Sequence, residues 1–299
     1  MTNQERADYI EPKIAAALAL LDSAVQQYKP KMVVGLMSGG DDSIPACYVA
    51  SLHPQFSGIL HVNTGIGIEA TREHVRKVCA ERKWRLWEYK ASENVNAKGE
   101  PDPMSYERLV LGYGFPGGFG HGLMYSRLKE RQLRRFERDH GAKAINGRRV
   151  LYVSGMRKQE SRKRSRHPTW IQCGGRFVFC AAIFDWDRED CGIGREYAGL
   201  PRNPVSEKIG KSGECLCGAF AHPGELDEIG FWYPETAAYI RDLEQRVRAN
   251  GFPWGWEDNG PPGWWRSMRK GQCDFFADAD SVPVEMQHLC HSCNKQAQP

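Results

Sequence analysis

Apolar positions along the chain alternate between short continuous runs and helically spaced sets. Residues 5–28 place apolar side chains at helical spacing and end before Pro30, which predicts an amphipathic helix packed on the first sheet. Four short apolar or β-branched runs are typical of strands: Lys31–Met37, Gly58–Asn63, Arg85–Lys90 and Arg149–Ser154. Helical patterns over Ser43–Leu52 and Glu69–Lys83 separate the first three. This alternation predicts an α/β fold, a parallel sheet covered by helices on both faces.

The rest of the chain is less regular. Ser92–Gly122 is rich in Gly and Pro and predicts a long functional loop, followed by a basic helix over Leu123–His140. Another helix is expected over Glu235–Asn250. We therefore predict an N-terminal helix (1–29), an α/β domain (30–200) and a smaller Cys- and Trp-rich accessory region (201–299).

The composition limits the class of protein. The longest apolar run near the start, Ile14–Leu21, has eight residues, too few to cross a bilayer, and the first residues lack the pattern of a secretory signal. We expect a cytoplasmic protein without membrane contact. In a reducing compartment, ten cysteines more often bind metal or do chemistry than form disulfides.

The positive charge is concentrated in one segment. Arg127–Arg166 holds 15 Lys and Arg against four Asp and Glu, whereas the rest of the chain holds 26 against 33. Such a block is either a solvated helical face or a surface for polyphosphate or nucleic acid. The tryptophans of the tail, Trp254, Trp256, Trp264 and Trp265, could likewise stack on bases or form the core of the accessory region.

The most informative residues are Ser38, Gly39, Gly40, Asp41, Asp42 and Ser43, placed between a strand and a helix. A loop of small residues allows backbone N–H groups to converge on an anion, and the following helix adds its dipole. The sequence lacks the Gly-Lys-Ser/Thr of a Walker loop, which argues against cleavage between the β and γ phosphates. The alternative is a tight turn that uses glycine for backbone freedom.

This run resembles the SGGxDS signature of the PP-loop ATP pyrophosphatases, the adenine nucleotide α-hydrolase-like superfamily. The resemblance implies a HUP or Rossmann-like domain that holds the pyrophosphate of ATP on the loop and releases it from the α phosphorus. Asp42 and Ser43 match signature positions. ATP and Mg²⁺ are the implied cofactors, with Asp42 a better candidate for the metal than Asp185 or Asp187.

A second set of motifs resembles the phosphoadenosine phosphosulfate reductase family over about residues 30–218. It comprises Asn63-Thr64-Gly65, Lys129-Glu130-Arg131, and Gly155 to Ser161 followed by Arg164. The resemblance places Thr64 and Gly65 near the adenosine, and Lys129, Arg131, Arg157, Glu160 and Arg164 around the phosphates. Asp42, Ser43, Lys129 and Arg157 are then the candidate catalytic residues. Surface charge is the alternative for Arg157 and Arg164.

The departures from that family matter as much as the matches. The tail reads His288-Leu-Cys290-His-Ser-Cys293 instead of the Glu-Cys-Gly-Leu-His motif of assimilatory reductases, and Met124-Tyr125 stands where iron–sulfur reductases carry adjacent cysteines. The sequence therefore favours ATP cleavage that activates a substrate for sulfur transfer or for modification of DNA or tRNA. The alternatives are a reductase that uses Cys290 or Cys293 and a nucleic-acid-binding module without turnover.

Two cysteine pairs predict a metal site in the accessory region (201–299). Cys215-Leu-Cys217 and Cys290-His-Ser-Cys293 could supply four thiolates to a 4Fe-4S cluster or to structural zinc, with Cys273, His288 or His291 as possible replacements. The other five cysteines, Cys47, Cys79, Cys173, Cys180 and Cys191, are expected to be structural thiols. The predicted partners are an adenine nucleotide, a nucleic-acid substrate and a sulfur-donor protein.

Overall fold

The computed structural model describes residues 1–95, 100, 105–118, 120–141, 149–160, 171–174, 177–263 and 265. Its strands are β1 (Met32–Leu36), β2 (Phe56–Asn63), β3 (Leu86–Lys90), β4 (Val150–Val153), β5 (Ile171–Gly174) and β6 (Phe177–Cys180). They form a sheet in the order β3-β2-β1-β4-β6-β5. The first five strands in this order run parallel, and the last, β5, pairs antiparallel with β6 at the edge. The predicted parallel sheet is confirmed.

The described helices are α1 (Asn3–Tyr28), α2 (Ser43–Ser51), α3 (Glu69–Glu81), α4 (Tyr106–Tyr113), α5 (His121–Met124), α6 (Arg131–Asp139), α7 (Arg188–Tyr197), α8 (Pro204–Ile209), α9 (Glu225–Trp232) and α10 (Pro234–Ala249). A π-helical turn, Tyr125–Glu130, joins α5 to α6 in one continuous run. Short 3-10 turns follow β3 at Ala91–Glu93 and β4 at Lys158–Glu160.

The alternation of side chains along the strands divides the core into two faces. On one face, Val33 and Leu151 pack with α1, α2 and α7, and Ile59 packs with α2 and α3. On the other face, Val34 and Tyr152 pack against α6. Because successive strand residues point to opposite sides, both faces are buried and the strands read as continuous apolar runs.

A second core lies beside the carboxyl ends of the strands. It combines α4, the π-helical turn and α8 to α10 with Trp254 and Trp256, which are 2% and 1% exposed. Their indole N–H groups donate to Phe115 O (2.8 Å) and Leu216 O (2.7 Å). These two tryptophans therefore form part of the core, which is the second of the two expected roles, while Trp264 lies outside the described residues.

The segment expected to be one long loop, 92–122, contains helix α4. Ser105 caps this helix by accepting from Arg108 N (3.3 Å), and its apolar face buries Tyr106, Leu109 and Val110. The expectation of a loop was wrong here because a helix of two turns is too short for its periodicity to show beside so many glycines. Among the residues that the structure describes, no helix is long and apolar enough to span a bilayer.

Candidate functional site

The strand order fixes where a ligand fits. From β1 the chain continues outward through β2 and β3, then returns to place β4 on the other side of β1. In doubly wound sheets, ligands bind at this point of reversal, outside the carboxyl ends of the strands. The loop Ser38–Ser43 follows β1 and lies there. It lines an open cleft of about 810 Å³, counting the solvent at its mouth.

The cleft has three walls. One is the Ser38–Ser43 loop with the ends of β1 and β2, the second is Lys129 with Ser154 and Gly155, and the third is the segment Ser206–Cys215. The third wall comes from the region predicted to be accessory. The cleft is thus completed by residues more than 150 positions after its loop.

Hydrogen bonds of its own hold the loop in shape. Ser43 Oγ accepts from Ser38 N (3.3 Å) and donates to Gly40 O (3.1 Å), while Ser43 N also donates to Gly40 O (3.1 Å). Gly39 has a φ of +78°, and a Cβ there would lie 2.8 Å from the Thr71 methyl group. The glycine is therefore required both by its backbone conformation and by the close approach of α3.

Gly155 allows the loop and the end of β4 to touch. A Cβ at this position would lie 2.7 Å from the carbonyl of Asp42 and from Ser43 N. Any larger residue would push the start of α2 away from β4. The Gly-Met-Arg sequence after β4 therefore provides the space that lets Arg157 reach the loop.

Asp42 and Arg157 form a buried ion pair in which each carboxylate oxygen faces a guanidinium nitrogen, one of them through a hydrogen bond. Arg157 Nε lies 3.0 Å from Asp42 Oδ1, and Arg157 donates from a terminal nitrogen to Oδ2 (3.2 Å). Burial alone would lower the pKa of Arg157, but the charge of Asp42 outweighs it and the pKa is raised. The guanidinium stays charged and fixes the carboxylate at the start of α2.

Arg202 holds Asp41 by a second pair of contacts. Arg202 donates from Nε to Oδ1 (3.1 Å) and from a terminal nitrogen to Oδ2 (2.9 Å), and the hydrogen bond to Asp41 raises the pKa of Arg202. Each acidic residue of the loop is thus paired with an arginine from a distant part of the chain. The carboxylates bring no uncompensated negative charge toward a bound polyphosphate.

Asn203 joins the loop to the third wall. It is fully buried, and its Nδ2 donates to Gly39 O (2.9 Å) and to Thr71 Oγ1 (3.2 Å), while its Oδ1 accepts from Val205 N (3.0 Å) as the N-cap of α8. Thr71 Oγ1 in turn donates to Ser212 O. One side chain therefore fixes the loop, α3 and α8 relative to one another.

Glu214 similarly connects the third wall with the end of β2 and with α3. Its Oε1 accepts from Thr64 N (3.0 Å), and its Oε2 lies 3.2 Å from His61 Nε2 and 3.4 Å from Arg72 Nε. His61 Nδ1 donates to Met37 O (2.7 Å). Burial would lower the pKa of His61, but the Glu214 carboxylate and the Met37 carbonyl raise it overall.

Two buried hydroxyl groups of the cleft lack a protein partner. Ser154 and Ser206 are 1% and 2% exposed, both line the cleft, and neither Oγ has a hydrogen-bond partner within the described part of the chain. Buried hydroxyls are normally satisfied. Because these two face the cleft, a bound ligand is the natural partner for them. Lys129 and Lys211 line the same cleft and supply positive charge.

The structure separates some residues that the motifs grouped together. Ser38, Gly40, Asp41, Asp42, Ser43 and Lys129 line the cleft, and Arg157 contacts it through Asp42. Arg131 lines a different cavity.

Thr64 uses its amide and hydroxyl on Glu214, and Gly65 lies exposed at the end of β2; neither lines the cleft. The backbone of Glu160 is described without its side chain, and Arg164 lies outside the described residues.

The structure describes two of the four predicted metal ligands. Cys215 lines the cleft and is partly exposed, and Cys217 is 2% exposed beside it. Cys290 and Cys293, like Cys273, His288 and His291, lie outside the described residues. Within the described ranges, no three His, Cys, Asp or Glu side chains cluster as metal ligands.

The expectation of buried structural thiols is confirmed for four cysteines: Cys47, Cys79, Cys180 and Cys191. Burial raises the pKa of Cys79 and of Cys180 to about 12, so both remain protonated thiols at neutral pH. The side chain of Cys173 is not among those described.

Sequence reasoning missed the third wall, because 201–218 carries no sustained periodicity. One local signal was present: Asn203-Pro204 is a typical helix start, an Asn cap followed by Pro in the first turn. No comparable signal marks Arg202, Ser206, Lys211 or Glu214, whose roles depend on distant contacts.

Comparison with known proteins gives matches of fold. No family model and no curated protein matches the sequence. Among solved structures, the phosphoadenylyl-sulfate reductase from Candida auris, in complex with phosphate, is 17% identical with a TM-score of 0.45, covering 64% of this chain and 84% of that one.

The U34-tRNA thiolase NcsA from Methanococcus maripaludis, with its 4Fe-4S cluster, is 11% identical with a TM-score of 0.38, covering 80% of each chain. At these identities and TM-scores, the role of each residue rests on the geometry of this cleft.

Proposed function

We propose that this chain is a PP-loop-type enzyme that binds ATP in the cleft and cleaves it to AMP and pyrophosphate, thereby activating an acceptor. The observation that carries the proposal is the small-residue loop at the switch point of the sheet. Around it lie Lys129, Lys211, which also pairs with Glu225, and two hydroxyls that have no hydrogen-bond partner among the described residues. Such a cleft offers N–H, O–H and ammonium donors to a polyphosphate and has no Walker lysine to direct cleavage to the γ phosphate.

The proposed chemistry depends on positioning. An acceptor oxygen attacks the α phosphorus, the bond from that phosphorus to the bridging oxygen breaks, and pyrophosphate leaves with the electron pair. AMP is then joined to the acceptor oxygen, and it leaves with that oxygen when sulfide-level sulfur from a donor attacks the acceptor atom that bears it. When water takes the place of the acceptor, the same attack gives free AMP. The loop from Ser38 to Ser43 and the lysines hold the departing oxygens, whose negative charge increases in the transition state. Because Asp42 and Asp41 are each neutralised by an arginine, they shape the loop without repelling these oxygens.

Mg²⁺ fits this cleft only as a companion of the nucleotide. Both loop carboxylates are paired with arginines, and the described residues contain no cluster of three ligands. Mg²⁺ commonly binds through substrate phosphates, waters and one or two carboxylates. When bound, it supplies positive charge to the pyrophosphate oxygens.

We further propose that the activated acceptor receives sulfur, with Cys215 and Cys217 holding part of an iron–sulfur cluster or a zinc ion together with Cys290 and Cys293. Cys215 supports this because it lies in the wall of the nucleotide cleft itself. The two thiols, one residue apart, fit half of a four-thiolate set. A cluster bound there would supply or hold sulfur next to the activated acceptor.

The test is anaerobic purification of the full chain, incubation with ATP and Mg²⁺, and separation of AMP plus pyrophosphate from ADP plus phosphate. We expect AMP and pyrophosphate, with a brown absorption that Cys215→Ala removes and Cys79→Ala, a buried thiol outside the cleft, leaves intact. ADP as the only product would contradict the proposal. Release of sulfite from a sulfated adenosine nucleotide, without AMP from ATP, would favour the reductase alternative.

A further inference from the structure

A second cavity lies outside the nucleotide cleft. It is a groove of about 830 Å³, counting open solvent, between the 3-10 turn after β3 and the helical run from Ser126 to Arg138. Five of its lining residues are arginines: Arg127, Arg131, Arg134, Arg135 and Arg138. We call it the arginine groove. Asn94, Val95 and Ser126 complete the lining.

The arginines form a row. Arg127, Arg131, Arg134 and Arg138 follow one another at steps of four, three and four residues, which places them on one side of a helix. From first to last the row is roughly 16 Å long at 1.5 Å per residue. A single phosphate or sulfate would contact only part of it. One nucleic-acid strand, with a charge every 3.4 Å along the helix axis, would present roughly four or five phosphates to it.

The guanidinium groups are only partly neutralised within the protein. Arg131 and Arg135 donate to the backbone carbonyls of Val95 (3.3 Å) and Glu93 (3.1 Å), which bear no full charge. The side chains of Arg134 and Arg138 are 57% and 62% exposed.

The neighbouring carboxylates are Glu93, Glu130 and Asp139. Within the described part of the chain, these three acidic groups pair with arginines of the groove, and one of them, Asp139, also accepts from Tyr89.

An independent observation is a buried amide in the same groove. Asn94 is 3% exposed and accepts from Gln132 Nε2 (3.0 Å), yet its own Nδ2 group has no hydrogen-bond partner among the described residues. An unsatisfied buried donor costs about 1–3 kcal/mol. An anionic oxygen bound in the groove would satisfy it.

We propose that the arginine groove binds the phosphate backbone of a nucleic-acid strand, without reading its bases. Arginine suits phosphate because its planar group donates bidentately. None of the described lining residues is aromatic, so the groove offers no surface for stacking on bases. Lys129, on the same helical run, lines the nucleotide cleft, so one helix separates the two sites. The inference deepens the proposed function, on which it rests, by naming nucleic acid as the acceptor class.

The test compares Arg127→Gln/Arg138→Gln with Arg241→Gln/Arg246→Gln, which changes the charge equally on the exposed side of α10. Binding of fluorescent duplex DNA, single-stranded DNA and folded RNA, each of mixed sequence, is measured by anisotropy over a range of salt concentrations, without nucleotide. We expect at least one of the three to bind. The groove variant should lower the salt slope by about two and weaken binding equally for unrelated sequences. The control variant should bind as the wild type does.

Formation of AMP from ATP, with water in place of the acceptor, is measured in parallel for the same proteins without nucleic acid. We expect the groove variant to retain it, so loss of binding and failure of the proposed ATP cleavage are separate results. Absence of binding to all three nucleic acids, equal loss in the control, or a preference for inorganic polyphosphate or an acidic peptide over nucleic acid would overturn the proposal.

Discussion

The nucleotide cleft and the arginine groove lie on two sides of one helical run, and they treat charge in opposite ways. In the cleft, charged groups are buried and paired: Asp42 with Arg157, and Glu214 with His61 and Arg72. In the groove, arginines such as Arg134 and Arg138 are largely exposed and only partly paired.

This difference indicates which kind of ligand each site favours. Buried, fixed pairs keep their geometry before a ligand arrives, so the cleft suits one small ligand in one orientation. Exposed arginines gain most from a partner that brings many phosphates and releases counterions. Binding in the groove should therefore depend steeply on salt, and binding in the cleft much less.

The largest expected effect comes from breaking the buried pair. Asp42→Ala removes the carboxylate that pairs with the buried Arg157 guanidinium, which should lower stability by about 3–5 kcal/mol and abolish most AMP formation. Ser43→Ala, which removes only hydroxyl bonds, should retain part of the activity. Thermal unfolding and AMP assays measure both.

The double variant Asp42→Leu/Arg157→Met separates the two effects. It should recover much of the stability, because no unpaired charge remains, but not AMP formation. Recovery of both would remove the pair from the mechanism.

A smaller loss is expected from Asn203→Ala. The change removes the cap of α8 and the bonds to Gly39 and Thr71, and should cost about 2 kcal/mol. Since the loop is then released from the third wall, the KM for ATP should rise more than kcat falls. Asn250→Ala, which removes an exposed bond to Leu111 O at the end of α10, is the control and should leave the KM unchanged.

Ser154 and Ser206 give a prediction of the opposite kind, in which ligand affinity changes and stability does not. Ser206→Ala or Ser154→Ala removes no hydrogen bond to any described residue, so the free energy of unfolding should change by less than about 0.5 kcal/mol. ATP affinity should fall by about two- to tenfold, the value of one hydrogen bond. Isothermal titration with a non-hydrolysable ATP analogue measures it. Ser51→Ala, which loses a hydrogen bond to Tyr48 O, should lower stability and leave ATP affinity unchanged. Equal affinity of all three variants would contradict a ligand role for Ser154 and Ser206.

The smallest effect concerns pH. Because the pKa of His61 is raised above its ordinary value of 6.5, its pairing with Glu214 stabilises the fold fully below that value. This stabilisation is lost as the pH rises through the folded pKa. Unfolding by urea between pH 6 and 9 should therefore show a decrease in stability that His61→Gln abolishes. An identical pH profile in the variant would assign the decrease to other groups.

Local patterns predicted the α/β core well, and the reason is visible in particular elements. Strand β2 and helix α3 were expected at 58–63 and 69–83 and are found at Phe56–Asn63 and Glu69–Glu81. The same reasoning failed for α4, whose two turns lie among glycines. Of the cleft, the loop from Ser38 to Ser43 was predicted, whereas Ser206 and Lys211 were not, since nothing local ties them to a strand end.

By itself, the sequence determined the alternation of strands and helices and the small-residue loop, because hydrophobic period and turn chemistry act over a few neighbouring residues. The tertiary structure alone decided which charges meet. Asp42 and Arg157 are 115 positions apart, and Asp41 and Arg202 are 161 apart. Such pairs depend on the strand order that folds distant segments together, and no local pattern encodes that distance.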